Sequence, residues 1–211
     1  MPIYFNQKLN ENQILCIWKI EETVKFYCDY LQVTENQLEQ LSNSTHPQKQ
    51  IEWLASRTCL KFACGEMGIN FLGVEKDEFS NPCLVNHSAN ISITHSEKFA
   101  AISIDLKNDV GIDIEKISNK LERVAARFLS KKELDNLNGN SEQLGVYWCA
   151  KESLYKWYGK KGMSLREHIY IRPFVPMAKK IKGEIDFEQI KTCLDLNVYY
   201  FEDYILTVTS Q

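Results

Sequence analysis

The sequence predicts an α+β fold built of two similar halves. Three observations predict it: a segment pattern that recurs about 95 residues further along, strand-period and helix-period stretches that alternate in the same order in both halves, and a composition able to bury a core. The chain has 211 residues, of which 44% are hydrophobic and 25% charged. That length suits one large domain or two small halves, and that apolar share forms a core without covalent staples.

The elements follow in chain order. Ile17–Glu21 alternates apolar and polar residues and reads as a strand. Thr34-Glu35-Asn36-Gln37-Leu38 reads as a helix start, with Thr34 as N-cap and Gln37 as the returning partner of a capping box. Trp53-x-Ala55-Ser56-Arg57-x-x-Leu60-Lys61 is helical by pattern. Asn90–Thr94 and Phe99–Asp105, joined by Ser96-Glu97-Lys98, read as a hairpin. The series then recurs: the strand Gly111–Glu115, the capping box Ser130-Lys131-Lys132-Glu133-Leu134, the helix Trp148–Lys156, and the hairpin Asn197–Phe201 with Tyr204–Thr209. The halves are 1–105 and 106–211. No Pro/Gly/Ser-rich linker parts them, so the expectation is a pseudo-twofold intramolecular dimer with its active site in the cleft between two unlike halves, and a monomer overall.

Composition excludes several classes. The net charge is −3 and no block of five basic residues occurs, which argues against nucleic acid or an anionic membrane as partner. No stretch approaches the roughly 18 apolar residues of a membrane span, and the start lacks a signal-peptide pattern, so the chain reads as cytoplasmic. Seven cysteines, an odd number with no C-x-x-C pair, read as reduced thiols, with neither zinc nor disulfide assigned.

Chemistry is expected where the two copies differ. In Val110-Gly111-Ile112-Asp113-Ile114-Glu115 the strand period sends Ile112 and Ile114 to the core and puts Asp113 and Glu115 side by side on the opposite face. Neighbouring like charges repel unless a cation lies between them, although a solvated strand end carries such a pair too. On the helix, Glu152 and Lys156 share one side, as an ordinary exposed i, i+4 ion pair would. A third carboxylate beside a lysine is also what a divalent metal bridging to a phosphate requires. The first copy holds Arg57 and Lys61 in place of Glu152 and Lys156, hence cations without a metal ligand. Ile91-Ser92-Ile93-Thr94-His95-Ser96 brings hydroxyls and an imidazole to a strand end, where ligand contacts concentrate. No P-loop, Rossmann glycine pattern, serine-hydrolase elbow or H-E-x-x-H occurs.

Gly111-Ile112-Asp113-Ile114-Glu115, followed in order by Trp148-Cys149-Ala150-Lys151-Glu152-Ser153-Leu154-Tyr155-Lys156, resembles the paired signature of the 4′-phosphopantetheinyl transferases. Ile93-Thr94-His95-Ser96 looks like that family's upstream Ser-His motif, and the length matches its two-half, Sfp-type branch. The resemblance implies Mg2+-dependent transfer of the phosphopantetheine arm of coenzyme A to a serine of an apo acyl, peptidyl or aryl carrier protein, releasing 3′,5′-ADP. It implies Asp113, Glu115 and Glu152 as metal ligands, Glu152 and Lys156 as catalytic residues, and contacts to coenzyme A from Ser92, Thr94, His95, Lys151 and Lys156, to which the cations of the first half add Lys49 and Arg57 as expected phosphate contacts.

Two departures stand out. Ser80-Asn81-Pro82 replaces the family's Gly-Lys-Pro, so Asn81 lacks a charge that Lys76, Lys49 or Arg57 would have to supply. Thr94 replaces a serine and keeps the hydroxyl. The alternatives are a family member that only binds coenzyme A or a carrier, a phosphohydrolase acting on another nucleotide, and a structural domain. Arg123, Arg127, Lys131 and Lys132, with Phe128 and Leu129 between them, form a candidate surface for an acidic carrier helix, or else an ordinary amphipathic helix.

Overall fold

A computed structural model describes residues 3–34, 38–39, 46–137 and 140–210. They divide into two compact units, one running to Glu75 and taking in Pro82–Lys107, the other comprising Lys76–Asn81 and the chain from Asn108 onward. The first capping pattern, at Thr34–Leu41, lies largely outside the described residues.

In the first unit, β1 (Ile3–Lys8), β2 (Gln13–Lys19), β5 (Asn90–Ser96) and β6 (Phe99–Asp105) form an antiparallel sheet in the order β1-β2-β6-β5. Helix α1 (Val24–Leu31) is capped by Thr23, and α2 (Pro47–Glu66) opens with Pro47 in its first turn, where the missing N–H costs nothing. The buried stripe Leu54, Ala55, Cys59 and Ala63 of α2 packs with Ile14, Cys16, Trp18, Ile102 and Ile104 of the sheet. Strands β3 (Val74–Lys76) and β4 (Pro82–Leu84) make a short ribbon.

In the second unit, β7 (Ile112–Lys116) leads through a 3-10 turn and the short helices α3 (Ala125–Phe128) and α4 (Lys131–Asp135) to α5 (Ser141–Tyr158). Strands β8 (Ile169–Ile171), β9 (Lys180–Phe187), β10 (Ile190–Phe201) and β11 (Tyr204–Ser210) follow, in the antiparallel order β7-β11-β10-β9-β8. The capping box at α4 forms as the sequence requires: the Ser130 side chain accepts from the Glu133 amide and Glu133 accepts from the Ser130 amide. Helix α5 ends at Gly159, whose φ of 71° is the left-handed cap that glycine adopts without strain.

The fold is α+β with several antiparallel sheets, and the two units share one plan. Each runs strand, helix, hairpin: β2, α2, β5–β6 in the first and β7, α5, β10–β11 in the second. In each sheet the hairpin's second strand lies between its first and the opening strand, giving β2-β6-β5 and β7-β11-β10. The units differ in what extends this plan, β1 beside β2 in one and β9 then β8 beside β10 in the other.

One expectation about faces is corrected. Both faces of β7 are buried, and Asp113 and Glu115 lie on the helix-facing side, while Ile112 and Ile114 occupy the other face. The reason lies in α5, whose polar turn needs partners on the strand it crosses. Among the described residues, no helix is long and apolar enough to cross a membrane.

Candidate active site

Glycine places the second unit's site. A Cβ on Gly111 would sit 1.8 Å from the Ser153 carbonyl oxygen and 2.7 Å from the Trp157 amide, so only glycine lets α5 lie directly on the residue just before β7. The approach is fastened by side chains: the Ser153 hydroxyl lies 2.7 Å from that of Thr207, and the Gly111 amide donates to the Thr209 hydroxyl at 2.9 Å. With the strand and helix so close, Lys156 reaches back across the sheet edge. Its ammonium donates to the Asp113 carboxylate at 2.8 Å and to the Ile112 carbonyl at 2.9 Å. Lys156 therefore engages the strand rather than Glu152, which disfavours the reading of the two as an ordinary exposed i, i+4 ion pair.

Glu152 lies in the field of the same groups. Burial, reinforced by the charges of Asp113 and Glu115 and opposed by Lys156, pushes its carboxyl from the ordinary 4.5 up to about 7. Such a carboxyl is half protonated near neutrality, which suits a group that takes up a proton. Cys149 completes the surroundings: its thiol is wholly buried, donates to the Ile205 carbonyl at 3.5 Å, and is driven far up in pKa, first by burial and then by the nearby charges of Asp113 and Glu115. Sequence reasoning missed its place beside these carboxylates, because one helical position says nothing about which strand lies opposite.

Asp113, Glu115 and Glu152 offer carboxylate oxygens, the donor type a hard divalent cation takes, and the Glu152 carboxyl is raised first by burial and then by the charge of Asp113. Among the described residues, no three acidic, histidine or cysteine side chains converge to ligating distance, and Lys156 holds one oxygen of Asp113.

Lys151 is corrected. It is fully buried, donating to Glu133 and to the Leu165 carbonyl, each at 2.8 Å, and to the Ile169 carbonyl. All three ammonium hydrogens are engaged, so it cannot also serve a phosphate. Glu133 in turn accepts from Ser130 and from the Ile171 amide. The docking surface changes too: Phe128 and Leu129 belong to the core, leaving Arg123, Arg127, Lys131 and Lys132 exposed.

In the first unit, structure splits the expected ligand contacts. Ser92 and Thr94 are buried on one face of β5, paired across from Ser103 and Ala101, while His95 lies on the face packed against α2. His95 and Lys49 meet instead at Glu52, a buried carboxylate of α2 that the sequence did not single out: His95 Nδ1 is 3.2 Å from it and Lys49 Nζ 3.6 Å. Arg57 stands apart, its guanidinium 4.5 Å above the Trp53 ring and its Nε without a hydrogen-bond partner. Burial lowers its pKa to about 10, which still leaves it charged at neutral pH. Lys61 donates to the Tyr30 carbonyl at 2.7 Å and is structural. Asn81 also has a local role, donating to Asp77 at 2.9 Å and to the Gly159 carbonyl at 2.6 Å.

Residues 109–209 match the model of the 4′-phosphopantetheinyl transferase superfamily. The chain is also 35% identical over 94 residues to the 4′-phosphopantetheinyl transferase Sfp of Bacillus subtilis (strain 168), a match spanning 42% of this chain and 41% of that protein. That matched region holds β7 with Asp113 and Glu115 and α5 with Glu152 and Lys156, and it is here that the chain is similar to the 4′-phosphopantetheinyl transferase superfamily.

Proposed function

We propose that this protein transfers the 4′-phosphopantetheine arm of coenzyme A to the serine hydroxyl of an apo carrier protein, as a two-half member of that family. The observation that carries the reading is the arrangement in the second unit, where Asp113 is ion-paired to Lys156 and Glu152 has its carboxyl raised to about 7. In the transfer, the serine oxygen forms a bond to the pantetheine-bearing phosphorus, the bond from that phosphorus to the bridging oxygen breaks, and 3′,5′-ADP leaves. Glu152, ionised, takes the serine proton. Lys156, already beside Asp113, offers its ammonium to the phosphate charge and leaves the carboxylate to do so. Asp113, Glu115 and Glu152 would hold Mg2+, which supplies charge neutralisation to the pyrophosphate when bound. In the first unit, His95, Lys49 and Arg57 offer positive or donor groups to coenzyme A, and Ser92 and Thr94 shape the strand that carries His95. Lys151 takes no part in this reading, since its ammonium is consumed within the core.

The test is intact-mass spectrometry of a panel of apo acyl, peptidyl and aryl carrier proteins incubated with the protein, Mg2+ and coenzyme A, with Glu152→Gln in parallel. The expected result is a gain of one phosphopantetheine on a carrier serine, lost in the variant. A second reading, binding of coenzyme A or carrier without transfer, draws on Asn81, whose amide is tied to Asp77 and Gly159 and supplies no phosphate charge. Coenzyme A binding without a mass gain on any carrier would favour that second reading and overturn the first.

A further inference from the structure

Residues Lys76–Asn81 form a closed loop within the second unit, and its hydrogen bonds lead to the end of α5. Asp77 holds the loop together. Its Oδ1 accepts from the backbone N–H of Phe79 at 2.9 Å and of Asn81 at 2.7 Å, and its Oδ2 accepts from the Asn81 side chain at 2.9 Å. The backbone closes the same turn, with Ser80 donating to the Asp77 carbonyl and Asp77 to the Asn81 carbonyl, each at 3.0 Å. The Asn81 carboxamide then reaches out of the loop and donates to the Gly159 carbonyl at 2.6 Å. Gly159 is the left-handed cap of α5. The last carbonyls of a helix have no partner inside it, and beyond this cap the chain runs through Lys160, Lys161 and Gly162 without regular structure. Lys156 stands in the final turn that the cap closes, and its ammonium is the group that engages Ile112 and Asp113 on β7.

We propose that Asn81 is a positioning residue for Lys156: through the Gly159 carbonyl it keeps the last turn of α5 wound and the lysine aimed at β7. The inference rests on the reading of Lys156 as the cation that serves the transferred phosphate, and it adds the residue that holds this end of the helix. In this role Asn81 acts on turnover and leaves the affinity for coenzyme A alone.

Two variants separate this role from upkeep of the loop. Asn81→Asp keeps the side chain's shape, loses both amide hydrogens and sets a carboxylate against Asp77. Combining Asp77→Asn with Asn81→Asp restores an amide–carboxylate pair inside the loop and still leaves the Gly159 carbonyl without its donor. In ligand-free protein at low temperature, 15N spectra of the lysine ammonium groups should show a slowly exchanging Lys156 signal that weakens in both variants. The signal of buried Lys151 should persist, as the control for general unfolding. With Mg2+, coenzyme A and a carrier that the wild type modifies, kcat should fall about tenfold in both variants at unchanged KM for coenzyme A. Recovery of the Lys156 signal and of kcat in the double variant would show that Asn81 serves only its loop and overturn the proposal. Loss of the Lys151 and Lys156 signals together, or a rise in KM alone, would overturn it as well. Should the wild type modify no carrier, the transferase reading fails, and the Lys156 spectra decide by themselves whether Asn81 holds the helix end.

Discussion

Glu152 shows how one residue's environment sets its chemistry. With its folded pKa at about 7 and an ordinary value of 4.5, Glu152 keeps its proton in the folded chain over a range where the unfolded chain has lost it. The folded state therefore binds more protons between those values, so this residue's contribution is fully present below pH 4.5 and is lost as pH rises through 7. In metal-free protein, Glu152→Gln should consequently gain stability over wild type on going from pH 5 to pH 8, by on the order of 2 kcal/mol. Thermal unfolding in EDTA at the two pH values measures it. A difference that does not change with pH would contradict the buried, like-charged surroundings described for this carboxyl. The sequence showed the three carboxylates and the lysine, since spacing alone puts them on β7 and α5. It did not show that Lys156 prefers Asp113 over Glu152, because that choice depends on how close the helix lies to the strand.

Among the elements, α5 matters most, and two neighbouring residues of its motif divide the work. Glu152 faces the carboxylates of β7, whereas Lys151 points into the core and holds Glu133 together with the carbonyls of Leu165 and Ile169. The ion pair thus joins α5 to α4 and to the segment leading into β8. Removing one member leaves an uncompensated buried charge, so Lys151→Met should cost about 3–5 kcal/mol, whereas adding Glu133→Gln should cost less than the sum of the two single changes. Urea unfolding of the three variants decides it, and additive losses would contradict a direct pair. The capping box at Ser130 and Glu133 was legible from spacing. The second use of Glu133 was not, because a capping pattern describes backbone amides of its own helix and carries no information about a lysine 18 residues further on.

For the whole molecule, the placement of seven thiols tests the fold. Cys16, Cys59, Cys64 and Cys149 are buried, Cys28 and Cys83 are partly so, and Cys193 on β10 is exposed. Burial also raises the pKa of Cys64 to about 11 and that of Cys16 to about 12, which suppresses the reactive thiolate. A maleimide reagent should label Cys193 first in the native protein, leave the four buried thiols unmodified on that timescale, and reach all seven after denaturation, as peptide mass mapping would show. Early labelling of Cys59 or Cys149 would count against the packing of α2 or α5 on its sheet.

What the sequence determined by itself was periodic or local. Alternation marked β7 and the two hairpins, the recurrence about 95 residues apart marked the strand–helix–hairpin plan of both units, and the ordered pair of motifs marked the likeness to the transferase family. These follow from spacing along the chain, which is all that a backbone period or a cap requires. Tertiary structure alone decided which face of β7 looks at α5, that Gly111 is where helix and strand nearly touch, and that Lys151 is consumed by the core. It also brought Glu52 to His95 across 42 intervening residues. Each of these depends on a contact between segments distant in sequence, where burial and close approach, rather than residue type, determine which partner a charge meets.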